Sequence, residues 1–167
     1  MTRLSIAVRP PLAIRERLAE LPREPRTGLS WTVPERWIVK LRPLGHVADH
    51  LVAPLVDALG AALDGAPAPT CTLGPATVRP AGSWLYAPVA GLDELACEVF
   101  AATEHLVPVT HPQPYLGFLV LATGRVPAEV AGAPVSGTWQ PDEFALLADR
   151  SAPGRPRLVD LATFPLE

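Results

Sequence analysis

The sequence of 167 residues is poor in several residue types, and each shortage excludes a class of protein. Its two cysteines, Cys71 and Cys97, lie too far apart for a CxxC motif and are too few for a disulfide framework, so we expect buried thiols in a reducing cytoplasm. No apolar run approaches the length of a membrane span, and the short N-terminal run is typical of a first strand. No metal-ligand spacing or phosphate-binding glycine loop occurs, so we expect neither a metal nor a cofactor.

Lysine is the scarcest basic residue. Among the 14 lysines and arginines of the sequence, only Lys40 is a lysine. The net charge of −3 and the scattered arginines lack the basic surface of a nucleic-acid binder, so such a partner is not expected. Hydrophobic residues at 49% and charged residues at 19% indicate a well-cored globular protein. We therefore expect a single domain over 1–167 that lies in the cytoplasm and does not enter a membrane.

Hydrophobic periodicity predicts strands that alternate with three helices. The helices follow Pro11, Asp49 and Gly91 or Asp93 and end near Leu21, Leu63 and Leu106. The predicted strands cover 3–9, 37–42, 70–78, 83–89, 115–122, 138–149 and 157–166. This order of elements predicts an α+β fold with helices packed outside an antiparallel or mixed sheet.

The strand predicted over 37–42 holds the single lysine. It follows a turn at Pro34 and is expected to stop at Pro43 and Gly45. Because side chains alternate along a strand, Ile38, Lys40 and Arg42 are expected on one face, with one face in the core and the other on a cleft. Lys40 is either the one lysine left by chance in a composition that favours arginine, or a residue whose ammonium group has a chemical role.

Several stretches together resemble the 2H phosphoesterase superfamily, which includes the LigT-like 2′,5′ RNA ligases and cyclic phosphodiesterases. They are Arg-Leu-Ser-Ile-Ala-Val at 3–8, Trp-Thr-Val-Pro-Glu-Arg-Trp-Ile-Val-Lys-Leu-Arg-Pro-Leu-Gly at 31–45 and Ser-Trp-Leu-Tyr-Ala-Pro-Val at 83–89. The resemblance implies two pseudo-symmetric lobes of antiparallel sheet, with outer helices, around a central cleft. It also implies that each lobe supplies a His-x-Thr strand, whose two imidazoles act as general acid and base on a phosphoester.

Both motifs are substituted in this sequence. An ungapped match places Ile38 and Lys40 at the first His and Thr, and Phe118 and Val120 at the second pair. A shifted match of the second motif uses Tyr115 and Gly117 and restores no imidazole. Since each general acid or base contributes a factor of roughly 10² to 10⁴, we expect the phosphodiester chemistry of the family to be absent.

Such a cleft would present apolar walls around one ammonium, which is the general description of a small-molecule site. The leading hypothesis is therefore a small, largely apolar, anionic ligand anchored by Lys40, with further candidate ligand-binding residues Ile38, Arg42, Tyr86, His111, Tyr115, Phe118 and Val120. A second hypothesis makes Lys40 the acid, base or covalent nucleophile of a repurposed enzyme that acts on a non-nucleotide metabolite of specialised metabolism. A third is a non-catalytic interaction module with a filled cleft. A residual cyclic phosphodiesterase or RNA ligase ranks last.

Overall fold

The computed structural model describes residues 1–109 and 111–167, and Thr110, within the loop predicted at 107–114, lies outside the described residues. Two antiparallel sheets and three α-helices make up the fold. The helices are α1 (Leu12–Ala19), α2 (Val52–Leu63) and α3 (Asp93–Thr103). The strands are β1 (Thr2–Val8), β2 (Leu29–Trp31), β3 (Val39–Val47), β4 (Cys71–Leu73), β5 (Trp84–Ala90), β6 (Phe118–Gly124), β7 (Gly137–Trp139), β8 (Glu143–Asp149) and β9 (Leu158–Pro165).

The strands divide between a first sheet, in the order β3-β1-β8-β9, and a second sheet, in the order β2-β6-β5-β4-β7. Every neighbouring pair within the two sheets is antiparallel. The α+β class and the two antiparallel lobes predicted from the sequence are therefore confirmed.

Helices cover one face of each sheet. Helix α2 contacts α3 and β9, and α3 contacts β3, so both pack on the first sheet, while α1 contacts β7 of the second. Leucines at i+4 spacing, Leu55, Leu59 and Leu63, are buried along α2, as its amphipathic pattern predicts. No helix in the described part of the chain is long and apolar enough to cross a membrane.

Four details differ from the sequence-based expectations, and proline or a long-range contact explains most of them. Strand β3 continues through Pro43 to Val47. This is possible because β3 is an edge strand, where the N–H that proline lacks is not needed for a hydrogen bond to a neighbouring strand. The strand predicted over 138–149 divides near Pro141 into β7 and β8, which belong to different sheets. The short β2 lies in a segment predicted as loop. Cys71 is buried as expected, but Cys97 is exposed.

Candidate ligand-binding cleft

Ile38 and Lys40 lie at the uncovered face of the first sheet. Lys40 pairs with Ala7 of β1, which in turn pairs with Ala145 of β8. Ala7, Ala145 and Leu147 form a small apolar cluster on this face, separate from the main core, and Ile38 packs against it half-buried. Lys40 itself is exposed. The predicted pair therefore consists of an apolar side chain that completes a surface cluster and an accessible amine beside it.

Arg42 does not share this face, so that part of the prediction is wrong. The register shifts between Ile6, which pairs with Arg42, and Ala7, which pairs with Lys40, so that Leu41 is an extra residue in β3. Such a β-bulge breaks the alternation of side chains and turns Arg42 to the covered face of the sheet. Arg42 is only 4% exposed there.

The buried guanidinium of Arg42 has internal partners. It donates to Thr103 Oγ1 at 2.6 Å and to the backbone carbonyl of Val107. Its guanidinium carbon also lies 4.9 Å from the centre of the Phe100 ring. Arg42 therefore links β3 to the end of α3, and its guanidinium has a structural role.

Two arginines and one carboxylate lie close enough to Lys40 for their charges to act on its amine. Although Lys40 is exposed, surrounding protein partly desolvates its amine and so lowers its pKa; the positive charges of Arg3 and Arg36 lower the pKa further, and Asp149 acts in the opposite direction. Asp149 accepts hydrogen bonds from both terminal nitrogens of Arg36, at 2.9 and 3.3 Å. Since the carboxylate is already paired with Arg36, the group keeps a surplus of positive charge, which favours an anion.

Asp149 stays ionised throughout the physiological range. Burial by itself raises the pKa of Asp149, but hydrogen bonds from Ser151 and Arg36, together with the charge of Arg36, outweigh it and bring the pKa to about 2. The backbone N–H of Ser151 donates to Asp149 at 3.0 Å, and Arg36 also donates to Ser151 Oγ at 2.7 Å. This network holds the guanidinium of Arg36 in place beside Lys40.

The second sheet contributes an aromatic wall. Phe118 and Val120 of β6 pair with Pro88 and Tyr86 of β5, and all four are half-buried while their neighbours along the strands are buried. The Phe118 ring centre lies 4.9 Å from that of Tyr86 and 6.0 Å from that of Trp84. Trp84 remains 43% exposed. The prediction that 115–122 is buried on both faces is therefore wrong for the face that carries Phe118.

A single hydrogen bond ties the aromatic strand to the lysine strand. Strands β3 and β6 contact one another, and the hydroxyl of Tyr115 donates to the backbone carbonyl of Lys40 at 2.9 Å. Burial, followed by the nearby acids Asp93 and Cys71, raises the pKa of Tyr115, which keeps its hydroxyl protonated and able to donate. Tyr115 thus positions Lys40 through the backbone, whereas the prediction gave it a ligand contact.

No histidine is bonded to Lys40 in the described part of the chain. His111 is exposed in the loop after α3, and within the described residues no hydrogen bond or ion pair connects it to Lys40. His46 of β3 pairs with Arg3, and within the described residues it forms no hydrogen bond or ion pair with Lys40. Over 1–109 and 111–167, no group of His, Cys, Asp or Glu could hold a metal ion.

Sequence reasoning named Trp84 with Tyr86 as a possible pocket wall but missed Arg3 and Arg36 as parts of the cleft. Arg3 alternates with Ser5 and Ala7 along β1, so the sequence placed it on the uncovered face but could not show which strand is its neighbour. Arg36 ends the turn before β3 and reaches Asp149 near the far end of the chain. Only the pairing of β1 with β3 and β8 brings these charges together.

Comparisons with known proteins agree with this architecture. No protein-family model matches the sequence, and no curated protein matches it significantly. Among solved structures, TT0787 of Thermus thermophilus is 25% identical with a TM-score of 0.82, over 98% of this chain and 97% of that one. LigT of E. coli in complex with 3′-AMP is 23% identical, also with a TM-score of 0.82, over 99% of this chain and 98% of that one. The chain therefore has the LigT-like fold of the 2H phosphoesterases.

Proposed function

We propose that the cleft binds a small, largely apolar, anionic ligand whose charged group is anchored by Lys40. The observation that carries this proposal is the position of Lys40 among Arg3, Arg36 and a carboxylate that is already paired. A group with surplus positive charge and a lowered lysine pKa gains stability when an anion binds.

The apolar part of the ligand has two surfaces available. Ile38 packs on the small apolar cluster beside Lys40, and Phe118, on the strand that contacts β3, packs against the Tyr86 ring. Aromatic rings at a cleft contribute a large apolar area with little conformational freedom to lose. The structural neighbour LigT has been solved in complex with 3′-AMP, NADP⁺, ATP and phosphate, all of them anions, which agrees with an anion site in this fold.

Hexanoate, a short apolar anion, is a suitable probe. We expect calorimetric titration to show binding to the wild type and a loss of roughly three- to tenfold in affinity for Lys40→Met, since one partly exposed charge contributes about 1 kcal/mol. Arg15→Met is the matched control, because this substitution removes the same charge from an exposed position on α1, a helix that supplies no residue of the candidate cleft. Equal affinity of the two variants would contradict the proposal.

A second candidate function rests on the same lowered pKa. A lysine that is neutral more often at pH 7 to 8 is a better base and a better nucleophile toward a carbonyl group. If Lys40 forms an imine, its amine adds to an aldehyde carbon and water leaves, and borohydride then reduces the product to a stable secondary amine. Trapping of hexanal at Lys40, detected by peptide mass, would favour the repurposed enzyme.

A protein that fails both tests would belong to the third hypothesis, the interaction module. In that case neither hexanoate binding nor imine trapping would depend on Lys40. The exposed Trp84 and Lys40 favour an open cleft over a filled one, because a cleft closed by core packing would leave neither side chain accessible.

A further inference from the structure

A recess lies on the uncovered face of the first sheet, one strand away from Lys40. It has a volume of about 170 Å³, and Ala7 and Ala145 are among its lining residues. Ala7 is the register partner of Lys40 on one side and of Ala145 on the other. The recess therefore begins one strand away from the amine, at positions where two small side chains leave space.

The charges around the recess differ from those around Lys40. Arg9 forms an ion pair with Asp160, so these two residues neutralise one another. Asp142 and Glu143 also line the recess, and within the described ranges neither forms an ion pair. The recess therefore carries surplus negative charge, whereas the group around Lys40 carries surplus positive charge.

The acidic end of the recess is fixed by the backbone. The carbonyl of Asp142 accepts a hydrogen bond from the N–H of Leu166 at 2.8 Å, and Glu143 pairs with Pro165 at the start of β8. Lys40 and Glu143 are separated by two inter-strand steps and two residues along β8, roughly 12 Å between Cα atoms. Their long side chains shorten that gap to the length of a small ligand.

We propose that the ligand is dipolar and that this recess receives its cationic, amine-bearing end, with the carboxylate of Glu143 as the principal partner. The inference rests on the proposed function and names the class of ligand more closely. An ammonium group offers three donors to the carboxylates of the recess, while a second anion in this position would face Asp142 and Glu143 with like charge.

Three probes of equal chain length test the inference: 6-aminohexanoate, hexanoate and adipate. They share one carboxylate and differ at the far end, which is cationic, neutral or anionic. We expect 6-aminohexanoate to bind the wild type roughly threefold more tightly than hexanoate, and adipate to bind more weakly than both, since exposed charge pairs contribute about 0.2–1 kcal/mol.

Variants of the recess test whether it causes the preference for 6-aminohexanoate. Asp142→Asn with Glu143→Gln removes the negative charge at an exposed site and is expected to abolish the preference for 6-aminohexanoate while hexanoate still binds. Asp57→Asn, exposed on α2, is the control for a lost acidic charge. Ala145→Leu fills the recess and is expected to weaken hexanoate but not acetate, with a thermal melt to confirm folding.

The outcomes separate this inference from the proposed function. Equal binding of hexanoate and 6-aminohexanoate, or a preference that survives the double variant, overturns the inference and leaves the anion site at Lys40 intact. Failure of the wild type to bind acetate, hexanoate or 6-aminohexanoate overturns both.

Discussion

At the scale of single residues, the charge of Lys40 lowers the free energy of unfolding. Its folded pKa is lowered, first by burial and then by Arg3 and Arg36. A lysine with a lowered folded pKa releases its proton more readily in the folded state than in the unfolded one. The free energy of unfolding is therefore smallest below the folded pKa and rises with pH toward the ordinary lysine value. Such a residue is typical of a binding site.

Lys40→Met is accordingly expected to raise the melting temperature at pH 7 by roughly 1–3 °C, because it removes a charge that the two arginines repel. Arg15→Met is expected to leave the melting temperature within about 1 °C. Differential scanning calorimetry on both variants gives the comparison. A lower melting temperature for Lys40→Met would mean that the paired carboxylate stabilises the amine more than the arginines destabilise it.

Arg42 has the opposite role, since its bonds to Thr103 and Val107 hold β3 against α3. Arg42→Met keeps most of the side-chain volume but leaves the Val107 carbonyl without this donor. We expect a loss of about 1–3 kcal/mol in the free energy of unfolding, measured by urea denaturation, with unchanged affinity for hexanoate. A variant as stable as the wild type that no longer binds hexanoate would assign Arg42 to the ligand instead.

These two residues show how far single positions could be predicted. The rarity of lysine and its place on a predicted strand make Lys40 a candidate, and its role in binding stays a prediction. The same strand period misplaced Arg42, because the extra residue Leu41 in β3 reverses the faces of the residues that follow it until a second register shift restores them. A bulge depends on pairing with β1, which the local sequence does not specify.

At the scale of the elements, the contact between β3 and β6 decides how the two sheets meet. Tyr115 bridges them through the carbonyl of Lys40, just before β6 begins. This bond lies between two residues 75 positions apart in sequence, so it fixes the junction of the lobes and not a local turn.

Tyr115→Phe removes this bond and little else. We expect the free energy of unfolding to fall by about 1 kcal/mol, as for an ordinary hydrogen bond, with a decrease of roughly 2–4 °C in melting temperature. Tyr86→Phe is the matched control, because within the described residues the Tyr86 hydroxyl forms no hydrogen bond. The bridge would be unimportant if the two variants melted at the same temperature.

Most long elements could be predicted, because they carry a clear period and their own end signals. The leucines of α2 and the alternating side chains of β1 and β5 are examples. The three-residue strand β2 and the division of 138–149 into β7 and β8 could not be predicted, since β2 and β7 are short and depend on their partners β6 and β4. A proline in a strand pattern normally predicts that the strand ends there. Pro43 does not end β3, because β3 lies at the edge of its sheet, and that position depends on strand pairing that the local sequence does not specify.

At the scale of the whole molecule, the fold is shared with LigT, while none of the four positions matched to the His-x-Thr motifs is a histidine. Ile38, Lys40, Phe118 and Val120 occupy the two strands expected to carry the catalytic pairs, and these strands do meet. The order of sequence motifs was sufficient to predict this architecture. It could not predict the ligand, because a fold does not determine the chemistry of its site.

We expect no hydrolysis of a 2′,3′-cyclic nucleotide or a 2′,5′-linked dinucleotide above the uncatalysed rate, because neither matched motif supplies a histidine for proton transfer. Product formation can be followed by chromatography, with the Lys40→Met and His111→Ala variants in parallel. Turnover that survives both substitutions would show that the motif positions are assigned incorrectly and that other groups do the chemistry.

The presence of one lysine allows a direct test of the anion site. In protein labelled with ¹³Cε-lysine, a single side-chain resonance reports the titration of Lys40 without ambiguity. We predict a pKa below the ordinary lysine value in the free protein and a rise in that pKa at saturating 6-aminohexanoate or hexanoate, since a bound carboxylate stabilises the ammonium. An ordinary pKa in the free protein, or one that neither probe changes, would contradict the proposal that Lys40 anchors an anion.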